Sequence, residues 1–294
     1  MKHSPSAPSV THSASDLGFS DRVGRTGPDE LLNLSRRMRA SVLRMVHDAA
    51  SGHIGSSLSA VDIMAVLRFD QMHWSSGRDR DVFVLSKGHA VPAWYAALIA
   101  GGDLDPALAA TLRQLDSPLQ GHPDRTRCAY VDVSTGALGQ GLSVAIGRAQ
   151  GRVMRDDSGH VYCLVGDGEC QEGQVWEAVM YAGARGVANL TLIVDANGRQ
   201  SDGTVDETLP LEPLAAKLTA FRWLVHEVDG HSHQALRVAL SAARRERGRP
   251  TAIIARTRKG YLGPDRGALL NGSHGGLLGS AELVEALDYL ETAR

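Results

Sequence analysis

From residue 160 onward, apolar runs of strand length alternate regularly with stretches of helix length. Apolar strands separated by helices form parallel βαβ units, because a parallel crossover needs a dozen or more residues. We therefore predict an α/β fold, a doubly wound, mainly parallel sheet with helices on both faces. The predicted order is strand HVYCLVG, helix 171–185, strand NLTLIVD, helix 211–221, strand WLVHEV, helix 232–246 and strand TAIIART.

The first half of the chain adds more helices and one strand. Residues 30–50 place apolar side chains at helical spacing after Pro28, which suits a first helical turn. The further predicted elements are helices 59–69, 90–100 and 106–115, a helix that runs from GALGQG to about Arg155, and a strand at DVFVLS. No linker follows residue 27, so we expect a mobile N-terminal arm at 1–27 and one domain at 28–294.

The charge balance excludes several classes of partner. The 294 residues include 31 basic and 33 acidic side chains without a basic block, so we expect neither nucleic acid nor an anionic membrane as a partner. The longest apolar run, near 90–100, is too short to span a bilayer. The three cysteines form no CxxC pair, and Cys163 lies in an apolar run. We expect a soluble, cytoplasmic protein with reduced thiols.

Two polar residues close successive strands of the predicted sheet. Asp167 follows HVYCLVG, and Asn197 follows NLTLIVDA thirty residues later. Parallel strands end at the same sheet edge, where ligands of doubly wound folds bind. Two oxygen ligands beside a helix N-terminus suit Mg²⁺ that carries a diphosphate. The alternative is that Gly166–Asp167–Gly168 is a simple turn and Asn197 belongs to a loop; the pairing of the two positions favours the site.

Two other phosphate-binding motifs do not fit. GALGQG has its glycines in a different order from the dinucleotide motif G-x-G-x-x-G, and no G-x-x-x-x-G-K-[ST] occurs in the chain. We therefore expect neither a dinucleotide site nor a P-loop.

Six segments in series resemble the transketolase family. They are SGHIGSSLSA, FVLSKGHA, GHPD, STGALGQG, GDGECQEG and DANGRQSDG, and the resemblance covers about residues 30–276. GDG followed by Asn is similar to the general thiamine diphosphate fingerprint. Deoxyxylulose-phosphate synthases and 2-oxo acid dehydrogenase α subunits share the cofactor, but usually lack the Q-E-G after GDG and the L-S-K-G-H-A segment.

The resemblance implies a thiamine diphosphate cofactor held through Mg²⁺, for which Ca²⁺ or Mn²⁺ can substitute. The implied metal ligands are Asp167, Asn197 and the backbone carbonyl of Arg199. The other implied cofactor contacts are His89, Gly136, Leu138, Gly166, Gly168 and His274. Leu138 resembles an apolar contact to the thiazolium ring, and the glycines would allow close backbone approach.

The resemblance also implies catalytic residues. His53 and His122 resemble histidines that contact substrate hydroxyls and assist proton transfer, and His89 and His274 resemble those at the diphosphate and the reacting centre. Glu172 matches a glutamate that joins carboxylates across a subunit interface. A surface or core histidine, and an exposed helical glutamate, are the ordinary alternatives.

The implied reaction transfers a two-carbon ketol unit from a ketose to an aldose. Ile54 and Ala137 depart from the family pattern, in which Pro is common at the first position and Pro or Ser at the second. We also expect the second α/β domain of a transketolase on a partner chain, since the sequence ends at Arg294. The expected assembly is a heterotetramer with a C-terminal transketolase-like subunit that carries a pyrimidine-binding domain, acting on sugars or sugar phosphates. The alternatives are another thiamine diphosphate enzyme of specialised metabolism, or a non-catalytic module of the same fold.

Overall fold

The computed structural model describes residues 26–74, 77–201, 203–266, 268–269 and 278–292. Five strands form one parallel sheet in the order β1-β2-β3-β7-β6. Its strands are β1 Val82–Leu85, β2 Val161–Gly166, β3 Leu190–Ala196, β6 Leu224–Asp229 and β7 Thr251–Arg256. The predicted parallel sheet is confirmed.

Helices cover both faces of this sheet. The helices that contribute to the core on one face are α1 Pro28–Asp48, α2 Ile54–Val66, α3 Val91–Ala100, α8 His233–Arg245 and α9 Ser280–Thr292. Those on the other face are α4 Gln140–Met154, α5 Gly173–Arg185 and α7 Leu214–Ala220. Successive strand side chains alternate between the two cores: Tyr162 and Leu164 face the first, whereas Cys163 and Val165 face the second. Both faces are therefore apolar, which explains the continuous apolar runs.

Several element boundaries differ from the prediction. Helix α2 begins at Ile54, so half of the predicted SGHIGSS loop is helical and buried. The predicted helix 106–115 is a 3₁₀ helix, Pro106–Thr111, and Arg113 beyond it has a left-handed backbone (φ 61°). The predicted helix 171–185 starts two residues later, as α5 at Gly173, and a separate 3₁₀ turn, Gly168–Gln171, precedes it. The helical N–H groups therefore lie beyond Glu172 rather than directly after Asp167.

Four α-helices and strands of the described chain were not predicted, and three of them are very short. A hairpin joins β4 Arg199–Gln200 to β5 Gly203–Thr204, and α6 Val205–Thr208 follows it, started by a capping box of Thr204 and Glu207. These elements are too short to show periodicity. Helix α9, at the end of the described chain, packs on α1 through Ala286 and Leu290.

Some of the predicted features fall outside the described residues, namely His274 and nearly all of the N-terminal arm 1–27. Across the described ranges, no helix combines the length and apolar character needed to cross a membrane. Cys128, Cys163 and Cys170 are all free and buried.

Candidate cofactor site

A cavity of about 170 Å³ opens at the carboxyl edge of the sheet, beyond the ends of β1, β2 and β3. The predicted site residues that line it are His89, Leu138, Gly166, Asp167, Gly168, Glu172, Asn197 and Arg199. These residues come from four separate segments of sequence. The convergence predicted for Asp167 and Asn197 is therefore present.

Backbone N–H groups hold the Asp167 side chain in place. Its Oδ1 accepts a hydrogen bond from the amide of Gly168 at 2.9 Å, and its Oδ2 accepts one from the amide of Gly198 at 2.5 Å. The Oδ1 of Asn197 accepts from the amide of Arg199 at 3.1 Å. These bonds are those of turns, as the alternative interpretation expected. Each oxygen nevertheless keeps a further lone pair, and both side chains line the cavity.

The charge of Asp167 is poorly compensated within the chain. Burial and the nearby Asp195 raise the pKa of its carboxyl to about 6, although the amides of Gly198 and Gly168 oppose this shift. A cation beside the carboxylate would favour the ionised form. Asp167 is therefore a buried carboxylate whose ionised form a neighbouring cation would stabilise.

A buried ion pair that the sequence analysis missed lies beside Asp167. Asp195 and Lys87 are 0% and 1% exposed, and the Nζ of Lys87 donates to Oδ2 of Asp195. Ser59 donates to the same oxygen at 2.7 Å, and Thr257 donates to Oδ1. Burial alone would raise the pKa of Asp195, but Lys87 and the hydroxyl donors hold it below its usual value. An acidic residue within the apolar strand NLTLIVDA was the available signal, since such a residue needs a buried partner.

A second lysine, also missed, lines the cavity from the turn after β7. The Nζ of Lys259 lies 3.5 Å from the carbonyl oxygen of Arg199. Burial and the neighbouring Lys87 lower its pKa to about 8. The available signal was its place just after TAIIART, at the same sheet edge as Asp167. Two lysines beside oxygen ligands suit a polyanion that carries a metal ion.

Glu169 holds the walls of the cavity together. One carboxylate oxygen accepts hydrogen bonds from the hydroxyl of Ser86 and from the amide of Gly139 at 2.8 Å, and the other accepts from the amide of Gly166 at 3.1 Å. Burial raises the pKa of this carboxyl. The segments after β1, before α4 and at the end of β2 are thereby fixed to one side chain. GDGE in the sequence does not reveal this role, because all three partners are distant or backbone groups.

Close packing disfavours a larger residue at two positions near the cavity, most strongly at Gly139, where the backbone is also left-handed. Gly139 has φ +83°, and an added Cβ would lie 2.8 Å from Cγ of Gln174. An added Cβ at Gly168 would lie 3.0 Å from Cβ of Gln200. At Gly136 and Gly166 the nearest atoms would be 3.4 and 4.0 Å away, so contacts within the chain do not require glycine there.

Three of the four predicted histidines lie beside or near the cavity. His89 lines it, and the His53 ring meets the His89 ring edge-on with centroids 5.1 Å apart. His122 lies against Gly136, two residues before Leu138, and partial burial together with Arg113 lowers its pKa. The structure thus brings His53 and His89 together and places His122 next to the loop that carries Leu138.

One buried polar atom beside the cavity is left without a hydrogen-bond partner in the described part of the chain. The Oε1 of Gln200 is inaccessible to solvent and has no hydrogen-bond partner among the described residues. A buried acceptor without a donor costs about 1–3 kcal/mol. With the oxygen atoms of Asp167, Asn197 and Arg199 and the amines of Lys87 and Lys259, the cavity fits a magnesium diphosphate group.

Comparison with known proteins matches the chain to one family. The family model described as "Transketolase, thiamine diphosphate binding domain" matches residues 32–290. The chain is 39% identical over 235 residues to the 6-deoxy-6-sulfo-D-fructose transketolase subunit SqwG of Clostridium sp. (strain MSTE9), a match that covers 79% of this chain and 86% of that protein. It is 41% identical to the transketolase of Homo sapiens, over 78% of this chain but 37% of that protein.

Solved structures give the same result. The transketolase of Campylobacter jejuni superposes with a TM-score of 0.81 at 30% identity, covering 90% of this chain and 43% of that one. For the transketolase of Leishmania mexicana the TM-score is 0.80 at 28% identity, covering 89% of this chain and 41% of that one. The chain therefore spans less than half the length of these transketolases.

Proposed function

We propose, since this chain belongs to the transketolase family of thiamine diphosphate-binding domains, that it is the diphosphate-binding subunit of a two-chain transketolase. The reaction is transfer of a two-carbon ketol unit from a ketose to an aldose. The observation that carries the proposal is the cavity at the carboxyl edge, where the incompletely compensated Asp167 lies among neutral oxygen ligands and two lysines.

Each part of the cavity has a role in holding the cofactor. Asp167, Asn197 and the carbonyl of Arg199 would hold Mg²⁺, whose preferred ligands are oxygen atoms. Lys259 would offset part of the remaining diphosphate charge, whereas the charge of Lys87 is paired with Asp195. When bound, thiamine diphosphate supplies a stabilised carbanion that carries the two-carbon unit.

We assign the histidines and Leu138 to the reacting end of the ligand. Leu138 offers an apolar surface to the thiazolium ring. We assign binding of substrate hydroxyls and movement of protons to His53 and His122, and contact with the diphosphate and the reacting centre to His89. The same role is proposed for His274, which lies outside the described residues.

An exposed apolar surface beside the cavity supports a partner chain. On α5, Met180 and Tyr181 are 54% and 42% exposed, and Val144 on α4 is 41% exposed. Leu138 and Glu172 lie at the cavity end of the same two helices. Large exposed apolar side chains grouped on two adjacent helices are typical of a protein interface. We propose that the pyrimidine-binding domain of the partner covers this surface and that Glu172 faces a partner carboxylate.

The separation into two chains rests on the relatives. The relative that this chain matches over 86% of its length is named a subunit, whereas the chain matches 37% of the human transketolase. We propose a heterotetramer with two sites at chain interfaces. We further propose a cytoplasmic location, since the three free, buried cysteines suit a reducing compartment.

The name of one relative favours a second possible substrate class. The Clostridium protein is named as a transketolase subunit for 6-deoxy-6-sulfo-D-fructose, a sugar with a sulfonate where a sugar phosphate has its phosphate. A modified ketose of specialised metabolism is therefore the second candidate donor for this chain. Parallel assays with fructose 6-phosphate and the sulfo sugar distinguish the two.

The test is an assay of the chain with and without a C-terminal transketolase-like subunit as its partner. With Mg²⁺, thiamine diphosphate and a ketose–aldose pair, we expect turnover only when both chains are present. Asp167→Ala should abolish it, whereas Asp288→Ala, which changes an exposed carboxylate on α9, should not. Asp167-dependent turnover by the chain alone would refute the two-chain assignment.

A further inference from the structure

A second cluster of charged side chains lies behind the cavity, centred on Asp62 of α2. The carboxylate is 3% exposed and accepts two hydrogen bonds from Arg39, at 3.0 and 2.5 Å. It accepts one more from Nδ1 of His231 at 2.8 Å and one from Nε2 of His233 at 3.0 Å. Burial opposes ionisation, but Arg39 and the two histidine rings outweigh it and hold the pKa of Asp62 well below its usual value. Asp62 is therefore an ionised acceptor at all four bonds.

The two ring nitrogens of His231 have different partners. Nδ1 faces the Asp62 carboxylate, whereas Nε2 faces the backbone N–H of Arg258 at 2.9 Å. An ionised carboxylate can only accept and a backbone N–H can only donate. The proton must therefore be on Nδ1, and Nε2 must be the acceptor. The carboxylate thus orients the ring so that it can bind the backbone just before Lys259.

The turn at 257–261 is fixed at several other points. The amide of Gly260 donates to the carbonyl of Gly55 at 3.0 Å, and Nε of Arg39 donates to the carbonyl of Tyr261 at 3.2 Å. The rings of His231 and Tyr261 stack at 3.5 Å. The turn is therefore bonded to α1, to the start of α2 and to the loop after β6.

We propose that His231 is a positioning residue that acts through Lys259: oriented by Asp62, it holds the 257–261 turn so that the Lys259 amine faces the Arg199 carbonyl at the cofactor cavity. This inference rests on the proposed function, because it gives Lys259 a diphosphate to bind. His231 itself does not line the cavity.

His233 provides a matched control. It also donates to Asp62, but its other contact is the hydroxyl of Ser35 at 2.9 Å rather than the turn. Loss of either histidine removes one hydrogen bond from the same carboxylate. Only loss of His231 also removes the acceptor for the Arg258 amide.

Two amide substitutions separate the two bonds of His231. The amide of Asn ends near the position of Nδ1, so His231→Asn can keep the donor to Asp62 but loses the acceptor for Arg258. The longer His231→Gln can place its oxygen near the position of Nε2 and keep the acceptor. If His231 only donates to Asp62, His231→Asn should behave more like the wild type than His231→Gln does. If His231 positions the turn, His231→Gln should behave more like the wild type.

The first readout is acetylation of Lys259 in the metal-free chain, followed by peptide mass spectrometry. We expect His231→Asn to change the acetylation rate at least about 5-fold, and His231→Gln and His233→Ala to leave it within twofold. In the wild-type chain the Arg258 amide should also be protected from hydrogen exchange, which needs no variant. Rapid exchange of that amide, or equal acetylation in all variants, would overturn the inference.

The second readout is calorimetric binding of magnesium pyrophosphate, with Lys259→Ala as reference. We expect His231→Asn to weaken binding as Lys259→Ala does, and His233→Ala to leave it within twofold. Equal affinity for the wild type and His231→Asn would refute the positioning role. If pyrophosphate fails to bind the wild-type chain while the acetylation pattern holds, the diphosphate site is wrong but the positioning of the Lys259 turn stands.

Discussion

Asp167 at the carboxyl edge of the sheet and Asp81 at the amino edge are both buried carboxylates, but their surroundings differ. Asp81 accepts two hydrogen bonds from Arg244 and one each from the amides of His73 and His160. Asp167 accepts two bonds from backbone amides, lies near a second carboxylate and has a pKa raised to about 6. The charge at the amino edge is thus compensated by an arginine and backbone amides, whereas that of Asp167 is compensated less completely by the described residues.

Cavity size would have suggested the opposite assignment. The cavity at the amino edge, lined in part by His160, Arg244 and Arg247, has a volume of about 780 Å³, against about 170 Å³ at the carboxyl edge. Within the larger one, Nε2 of His160 bonds to the hydroxyl of Thr191 at 2.7 Å and Arg244 bonds to Asp81. The two cavities therefore differ in how completely their polar groups are satisfied, and the proposed cofactor site is the smaller one.

The largest expected effect is that of replacing Asp195, a fully compensated carboxylate that also lies at the carboxyl edge. Asp195→Ala should lower the free energy of unfolding by about 3–5 kcal/mol, because it leaves Lys87 buried and unpaired. Urea unfolding measures this loss. Adding Lys87→Met should recover part of the stability, and a double variant as unstable as the single one would contradict the ion-pair explanation.

The next effect tests the amino edge. Asp81→Ala should cost about 3 kcal/mol, since Arg244 and two backbone amides lose their acceptor, although the Arg244 side chain, 22% exposed, can partly rehydrate. Asp167→Asn should change the stability of the metal-free chain by less than about 1 kcal/mol, because one amide bond and the unfavourable charge are lost together. Equal losses for the two variants would remove the difference between the two edges.

Binding of magnesium pyrophosphate should depend on Asp167 rather than on Asp81, the reverse of the order expected for stability. Asp167→Asn is expected to weaken binding of magnesium pyrophosphate about 100-fold, which corresponds to ~2.7 kcal/mol, because the charged metal ligand is lost. Asp81→Asn, as the matched change at the other edge, should leave the affinity of the folded protein within twofold. Calorimetry with and without EDTA measures the metal-dependent part, and unchanged affinity in Asp167→Asn would refute the ligand assignment.

Whether a residue of the site could be predicted from the sequence depends on whether it lies at the end of a strand or acts through a contact with a distant residue. Strand ends can be predicted from apolar runs, so the sequence alone was enough to assign Asp167 and Asn197 to one edge. Lys87 and Lys259 could not be assigned there by pattern alone, because their roles depend on pairing through space with Asp195 and with the Arg199 carbonyl. Residues at element ends are thus predictable, whereas residues that act through a buried partner are not.

The smallest expected effect is a pH dependence that arises at the amino edge. Burial, together with Arg244 and Arg247, lowers the pKa of His160 to about 3 in the folded chain. An unfolded histidine titrates near pH 6.5, so the unfolded chain gains the proton first as the pH falls. The contribution of the neutral ring to stability is therefore full above about pH 6.5 and is lost progressively towards pH 3.

Between pH 7 and pH 5 this loss amounts to ~2 kcal/mol for the one group. His160→Gln removes the titration but keeps a polar group able to bond Thr191, so its unfolding free energy should fall by ~2 kcal/mol less than that of the wild type over the same interval. Urea unfolding at the two pH values gives the difference, in which the carboxylates common to both proteins cancel. Parallel pH dependences would mean that His160 takes up a proton in the folded protein. The charges at the amino edge would then not be fully compensated by the surrounding residues.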